Sequence, residues 1–101
     1  MKKVFVSPET EAQLRAIDAW WSANRTAAPG LFLDEFAEAV ELLRNFPGAG
    51  QRSHHPGVPG VRRLLLRSSR FHVYHVEAGD EVIVVSVWSA VRGRGPDLSG
   101  L

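Results

Sequence analysis

Ten arginines, four histidines and no cysteine are the groups with which this 101-residue chain could do chemistry. Six of the arginines, Arg62, Arg63, Arg67, Arg70, Arg92 and Arg94, fall in one β-rich stretch from Gly60 to Arg94. They stand at strand starts, at strand ends and just past the sheet, while apolar residues fill the strand centres. A guanidinium is permanently charged and presents a planar fork of donors that suits carboxylate and phosphate. Such a sheet can carry a core on one side and meet an anionic partner on the other. Any one of these arginines is equally what a solvated strand end looks like. Ten arginines against two lysines also suggests compositional bias, so only their positions argue for a site.

The histidines do not make a metal centre. His54 and His55 are adjacent, point different ways in most conformations, and have no carboxylate at ligand-like spacing. His72 and His75 are three apart on a strand and project to opposite faces. The absence of cysteine excludes a disulfide framework, a thiol nucleophile and a thiolate zinc site. Neither a phosphate-binding glycine loop nor a serine-nucleophile motif is present, and no cofactor is expected.

Size and composition give a single globular domain, residues 1–101: 45% hydrophobic and 23% charged residues are enough for one core and not for two. The opening apolar run Val4–Val6 is too short for a signal-peptide core, and nothing approaches the ~20 apolar residues of a membrane span. A cytoplasmic domain is expected. Charge is uneven. Residues 1–50 hold five basic and seven acidic residues, and residues 51–101 hold seven arginines, four acids and all the histidines. Separate faces with separate jobs follow from that asymmetry. The net charge of +1 is far below that of a protein living by non-specific DNA binding.

Positioning these groups requires the following elements. Lys3–Val6 reads as a first strand. Ser7-Pro8 reads as an N-cap with proline in the first turn, although Thr10 occupies the position where a capping box wants Glu or Gln. Leu14, Ile17 and Trp21 carry a helix to about Asn24, with Trp20 and Trp21 as core anchors. Phe32, Phe36, Val40 and Leu43 mark a second helix over Leu31–Asn45, whose acids Asp34, Glu35, Glu38 and Glu41 form a solvated outer face. Residues 48–59 read as a long loop with three glycines and two prolines. Val61–Leu66, Arg70–Val76 and Val82–Trp88, joined by tight turns, read as an antiparallel meander. Strict alternation puts Arg70, His72, Tyr74 and Val76 on one face of its middle strand. In the last strand it sets Val82, Val84, Ser86 and Trp88 against Ile83, Val85 and Val87. The fold class is α+β in the order β-α-α-β-β-β, with the helix hairpin on one face of a small antiparallel sheet.

That order resembles the RelE/ParE superfamily of toxins from bacterial type II toxin–antitoxin modules. VFVSPETEAQLRAIDAWW is similar to the family's first strand and helix, and APGLFLDEFAEAVELLRNFPGAG to its second helix and exit. GVRRLLLRSSRFHVYHVEAGDEVIVVSVWSAVRGRGP is similar to its sheet and arginine-bearing end. The resemblance spans roughly residues 3 to 97 and implies a cognate antitoxin partner in a toxin–antitoxin hetero-oligomer. It leaves two activities open. The VWSAVRGRGP ending and the paired tryptophans resemble the ParE-like branch, which implies inhibition of DNA gyrase through protein contacts. Arg62, Arg63, Arg67, Trp88 and Arg94 would then bind target or antitoxin. The RelE-like branch implies ribosome-dependent cleavage of mRNA, with Arg70, His72 and Arg92 as the catalytic set. The tail GRGPDLSGL lacks the tyrosine often found there in that branch. A third reading is an inactive member that only binds its antitoxin.

Overall fold

The computed structural model describes residues 1–91 and 93–99. It contains β1 (Lys3–Val6), α1 (Pro8–Asn24), α2 (Leu31–Asn45), β2 (Gln51–Arg52), β3 (Arg62–Leu66), β4 (Phe71–Ala78) and β5 (Glu81–Ser89). Two helices pack on a five-stranded sheet ordered β1-β5-β4-β3-β2, an α+β fold. The meander β3-β4-β5 is antiparallel as expected. The sheet as a whole is mixed, because β1 joins the far edge of β5 in parallel, Val4 beside Val82 and Val6 beside Val84. A parallel neighbour needs a long connection. Here all the intervening chain supplies it, so tight-turn logic could not reveal the pairing.

The start of α1 is fastened to β5 by a buried chain of hydroxyls. Ser7 sits in an extended conformation, and its Oγ accepts from the Thr10 N–H at 3.2 Å. The Thr10 hydroxyl donates to the Val84 carbonyl at 3.2 Å, so at 2.7 Å Ser7 Oγ donates to Thr10 Oγ1. Thr10 therefore replaces the capping-box acid with a tie between helix and sheet. One turn on, Gln13 Oε1 accepts from the Val87 N–H at 2.9 Å. β1 ends opposite Val84, so without Gln13 this buried backbone donor would lack its strand neighbour.

The main core lies between helices and sheet. Phe32, Phe36, Ala39 and Leu43 of α2 and Trp21 of α1 meet Leu66, Val73, Val82, Val84 and Val87. Phe32 is fully buried and stands edge-on to Phe71 at 5.2 Å. Trp21 is a core anchor, and its indole donates to the Ala28 carbonyl. Trp20 is not: it is 48% exposed, with the Arg25 guanidinium 5.0 Å from its ring. Helix neighbours are about 100° apart, so the two rings cannot share one face.

A second, smaller core occupies the opposite face, where Val61, Tyr74, Val85 and Leu98 are buried with Ile83, Val76 and Trp88 packed against them. The C-terminal tail thus lies along the sheet. Both faces of β5 are covered. Strict alternation nevertheless fails in β5. A bulge between Tyr74 and His75 sets two residues of β5, Val85 and Ser86, against one step of β4. After it the phase reverses: Val87 joins Val82 and Val84 under the helices, and Trp88 joins Ile83 and Val85 under the tail.

Candidate functional site

The register of β3 and β4 sorts the arginines. Arg63 lies opposite Tyr74 and Leu65 opposite His72, whereas Arg62 lies opposite His75. Directly opposed residues share a face. Arg63, His72 and Tyr74 therefore belong to the tail-covered face, and Arg62 and His75 to the helix-covered face. Adjacent arginines that the sequence groups together are parted by the sheet itself.

On the tail face the groups converge. Arg63, His72 and Tyr74 line a cleft of about 150 Å³ with Ser89, Ala90, Gly93, Arg94 and Gly95. The tail is held over it by the Trp88 indole, which donates to the Arg94 carbonyl at 2.9 Å, and by burial of Leu98. The Tyr74 hydroxyl lies directly under Gly95, where a β-carbon would come within 3.3 Å of it. His72 stands edge-on to Tyr74 at 6.0 Å. Burial, and then the charge of Arg63, push the His72 imidazole below its ordinary value of 6.5. Neutral His72 beside charged Arg63 is the resting state near neutral pH. Arg63 Nε is buried with no hydrogen-bond partner among the described residues.

His55, in the stretch whose sequence predicts a long loop, arrives at the same face. Residues 48–59 are folded rather than open. Gln51 and Arg52 pair with Arg63 and Arg62 as β2. His55-Pro56-Gly57-Val58 closes with a Val58 N–H to His55 carbonyl bond of 3.0 Å and Gly57 at φ 79°, the form of a type II turn. His55 then stands perpendicular to Tyr74 at 5.6 Å and shares a hydrogen bond with Ser53 Oγ. The signal for this was the two Pro-Gly pairs, 56–57 and 59–60, which fix turn geometry more tightly than loop length suggests.

The remaining expected residues lie apart. Arg62 reaches back to the Gly50 carbonyl at 3.4 Å. His75 is 1% exposed, and its Nε2–H donates to the Ala49 carbonyl at 3.0 Å. Burial and then Arg62 lower its pKa, against the Ala49 bond and Glu77. Arg67 and Arg70 are exposed in the β3–β4 turn. Arg70 is outside β4, at φ 64° in the left-handed region, with its N–H bonded to Leu66 and its carbonyl to Ala90. The tight turn demands that conformation of its last residue, so the strand starts one residue later than its β-rich run suggests. Glu35 is not merely part of a solvated face: its carboxylate accepts from the Ser68 and Ser69 N–H groups at 2.9 and 2.8 Å, clamping this turn. Arg92 lies outside the described residues.

Beside the cleft runs an apolar groove of about 580 Å³ between α1 and the end of the sheet, lined by Ile17, Trp20, Phe71, Trp88 and Val91 among others. No helix among the described residues is long and apolar enough to cross a membrane.

The model of the ParE toxin of the type II toxin–antitoxin system parDE matches residues 4–93. This chain belongs to the ParE toxin family. Its fold is similar to that of a chain from the solved chromosomal ParDE toxin–antitoxin system of P. aeruginosa. The TM-score is 0.72 at 24% identity, over 88% of this chain and 96% of that one. No curated protein matches significantly. In this ParE-family chain the cationic cleft and the apolar groove are neighbours, with Ser89 lining both.

Proposed function

We propose that this ParE-family toxin is a cytoplasmic growth inhibitor that acts on DNA gyrase through protein contacts and is neutralised by a cognate antitoxin in a hetero-oligomer. The family match over residues 4–93 carries the reading. The juxtaposition of groove and cleft supports it. An amphipathic antitoxin segment would lay apolar side chains against Ile17, Trp20, Phe71 and Val91. Its acids would meet Arg63 and Arg94, so one ligand occludes both surfaces. Arg63, Trp88 and Arg94 form the centre of the proposed contact surface. Arg62, behind the sheet, and Arg67, in the turn, are peripheral to it.

The test is a supercoiling and DNA-cleavage assay with purified gyrase, run with and without co-purified antitoxin, while message integrity is followed in cells expressing the toxin. Inhibited supercoiling or trapped cleaved DNA, relieved by antitoxin, is expected. Intact gyrase function with messages cut only on translating ribosomes would replace the reading with the endonuclease alternative on Arg70, His72 and Arg92. No effect on growth, gyrase or messages would leave a binding-only protein.

A further inference from the structure

The cleft under the tail carries an electrostatic imbalance. Arg63 is half-buried in the sheet, its Nε has no acceptor, and no ion pair to it exists among the described residues. The described lining of the cleft contains a second arginine, a histidine and a phenol, and no carboxylate. A buried donor without an acceptor costs about 1–3 kcal/mol, and more when the group is charged. Proteins rarely retain such a group without a ligand, water or role that repays it.

We propose that the cleft formed by Arg63, His72, Tyr74 and Arg94 is a binding site for one phosphate group. The donor set favours phosphate over carboxylate. Two guanidinium groups outnumber the single charge of a carboxylate, and donors from a strand pair and from the tail suit a tetrahedral array of acceptors. Size sets a second limit. A volume near 150 Å³ has room for one oxyanion, and because the cleft opens to solvent the rest of a larger ligand would lie outside it. Gly93 and Gly95 keep the tail side of the cleft open. The weak overall basicity, a net charge of +1, argues that the phosphate is recognised singly rather than as part of a broad electrostatic track. Binding would also draw a proton onto His72, because the anion offsets the repulsion from Arg63.

The experiment is a titration of the ¹⁵N-labelled protein with inorganic phosphate at constant ionic strength, with chloride as the reference salt, following the Arg63 Nε–H and His72 ring signals. Saturable shifts confined to the cleft are expected. Arg63→Gln should weaken binding about tenfold or more, as loss of one charge-assisted partner implies. Arg94→Gln, at an exposed tail position that cannot threaten the fold, should also weaken it. Arg15→Gln on the outside of α1 should leave it unchanged. A 5′-phosphorylated single-stranded oligonucleotide and a nucleoside diphosphate, run as further arms, separate the sources: tighter binding of the former points to a nucleic-acid end, of the latter to a small ligand. Shifts that follow ionic strength alone, occur equally with chloride, or survive both cleft substitutions would overturn the proposal. None of these readouts depends on gyrase or growth arrest.

Discussion

The two faces of the sheet are built to different standards. Under the helices, aromatic and aliphatic side chains from α1, α2 and three strands close a continuous core. Its polar contacts at the α1 end, Ser7 to Thr10 to Val84 and Gln13 to Val87, are satisfied. Under the tail a smaller cluster, Val61, Tyr74, Val85 and Leu98, is buried, and next to it a guanidinium is left with an orphan donor, whereas on the helix side the unpartnered atom is a ring nitrogen, His75 Nδ1. The first face is a scaffold. The second trades stability for an arrangement of charge, as binding surfaces do.

Substitution at the centre of each face should expose that difference. Phe32→Ala on the scaffold side removes a fully buried ring and should cost about 3–5 kcal/mol in chemical denaturation. Leu98→Ala removes the chief apolar anchor of the tail. It should cost only about 2 kcal/mol, the low end for such a truncation, because the tail can settle onto the exposed surface. Equal losses would mean that the tail is as integral to the fold as α2.

Gly50 tests how the edge of the sheet is held. Its φ is +93°, and a β-carbon there would collide with the Arg63 carbonyl oxygen. Gly50→Ala should therefore cost about 1–3 kcal/mol and loosen β2, read as faster hydrogen exchange at Ser53, whose N–H donates to Val61. Arg70 is the converse case. It holds a left-handed conformation that glycine would adopt without strain. Arg70→Gly should leave stability unchanged or raise it by about 1 kcal/mol. A loss of toxicity in that variant would show that the arginine is kept for function despite its backbone cost.

The helix and strand order was legible because each element carries its own period and its own stop signals: Ser7-Pro8 before α1, Asn45 and Pro47 after α2, Gly79-Asp80 between β4 and β5. Three features were not legible, for one physical reason. The parallel seat of β1, the bulge in β5 and the return of the tail depend on partners distant in sequence, and local pattern does not report those. The bulge had the largest consequence, because a one-residue slip exchanges faces and so moved Trp88 to the tail side. The cleft itself was half-visible. Arg63, His72 and Arg94 were marked by type, and strand alternation alone parts Arg63 from Arg62, but no local pattern shows which face the tail covers or that the turns of residues 48–59 seat His55 against Tyr74.

The smallest expected effect is a pH dependence. His75 has its pKa depressed by burial first and then by Arg62, and His72 is depressed by burial and then by Arg63. A histidine with a lowered folded pKa takes up its proton in the unfolded chain first. Its contribution is therefore complete above the unfolded value near 6.5 and is lost as pH falls from there towards the folded value. The denaturation midpoint should drop between roughly pH 7 and pH 5. His75→Gln should flatten most of that slope, since His75 is the more deeply buried of the two.

Arg62 and Arg63 give the most direct test of the difference between the faces, because they are chain neighbours on opposite sides of one strand. Growth arrest on induced expression should be measured for Arg62→Gln and Arg63→Gln, with thermal melts of the purified proteins to show that both are folded. Arg63→Gln should abolish or sharply weaken arrest while Arg62→Gln retains it. Equal toxicity of the two variants, or loss confined to Arg62→Gln, would contradict the assignment of function to the tail-covered face.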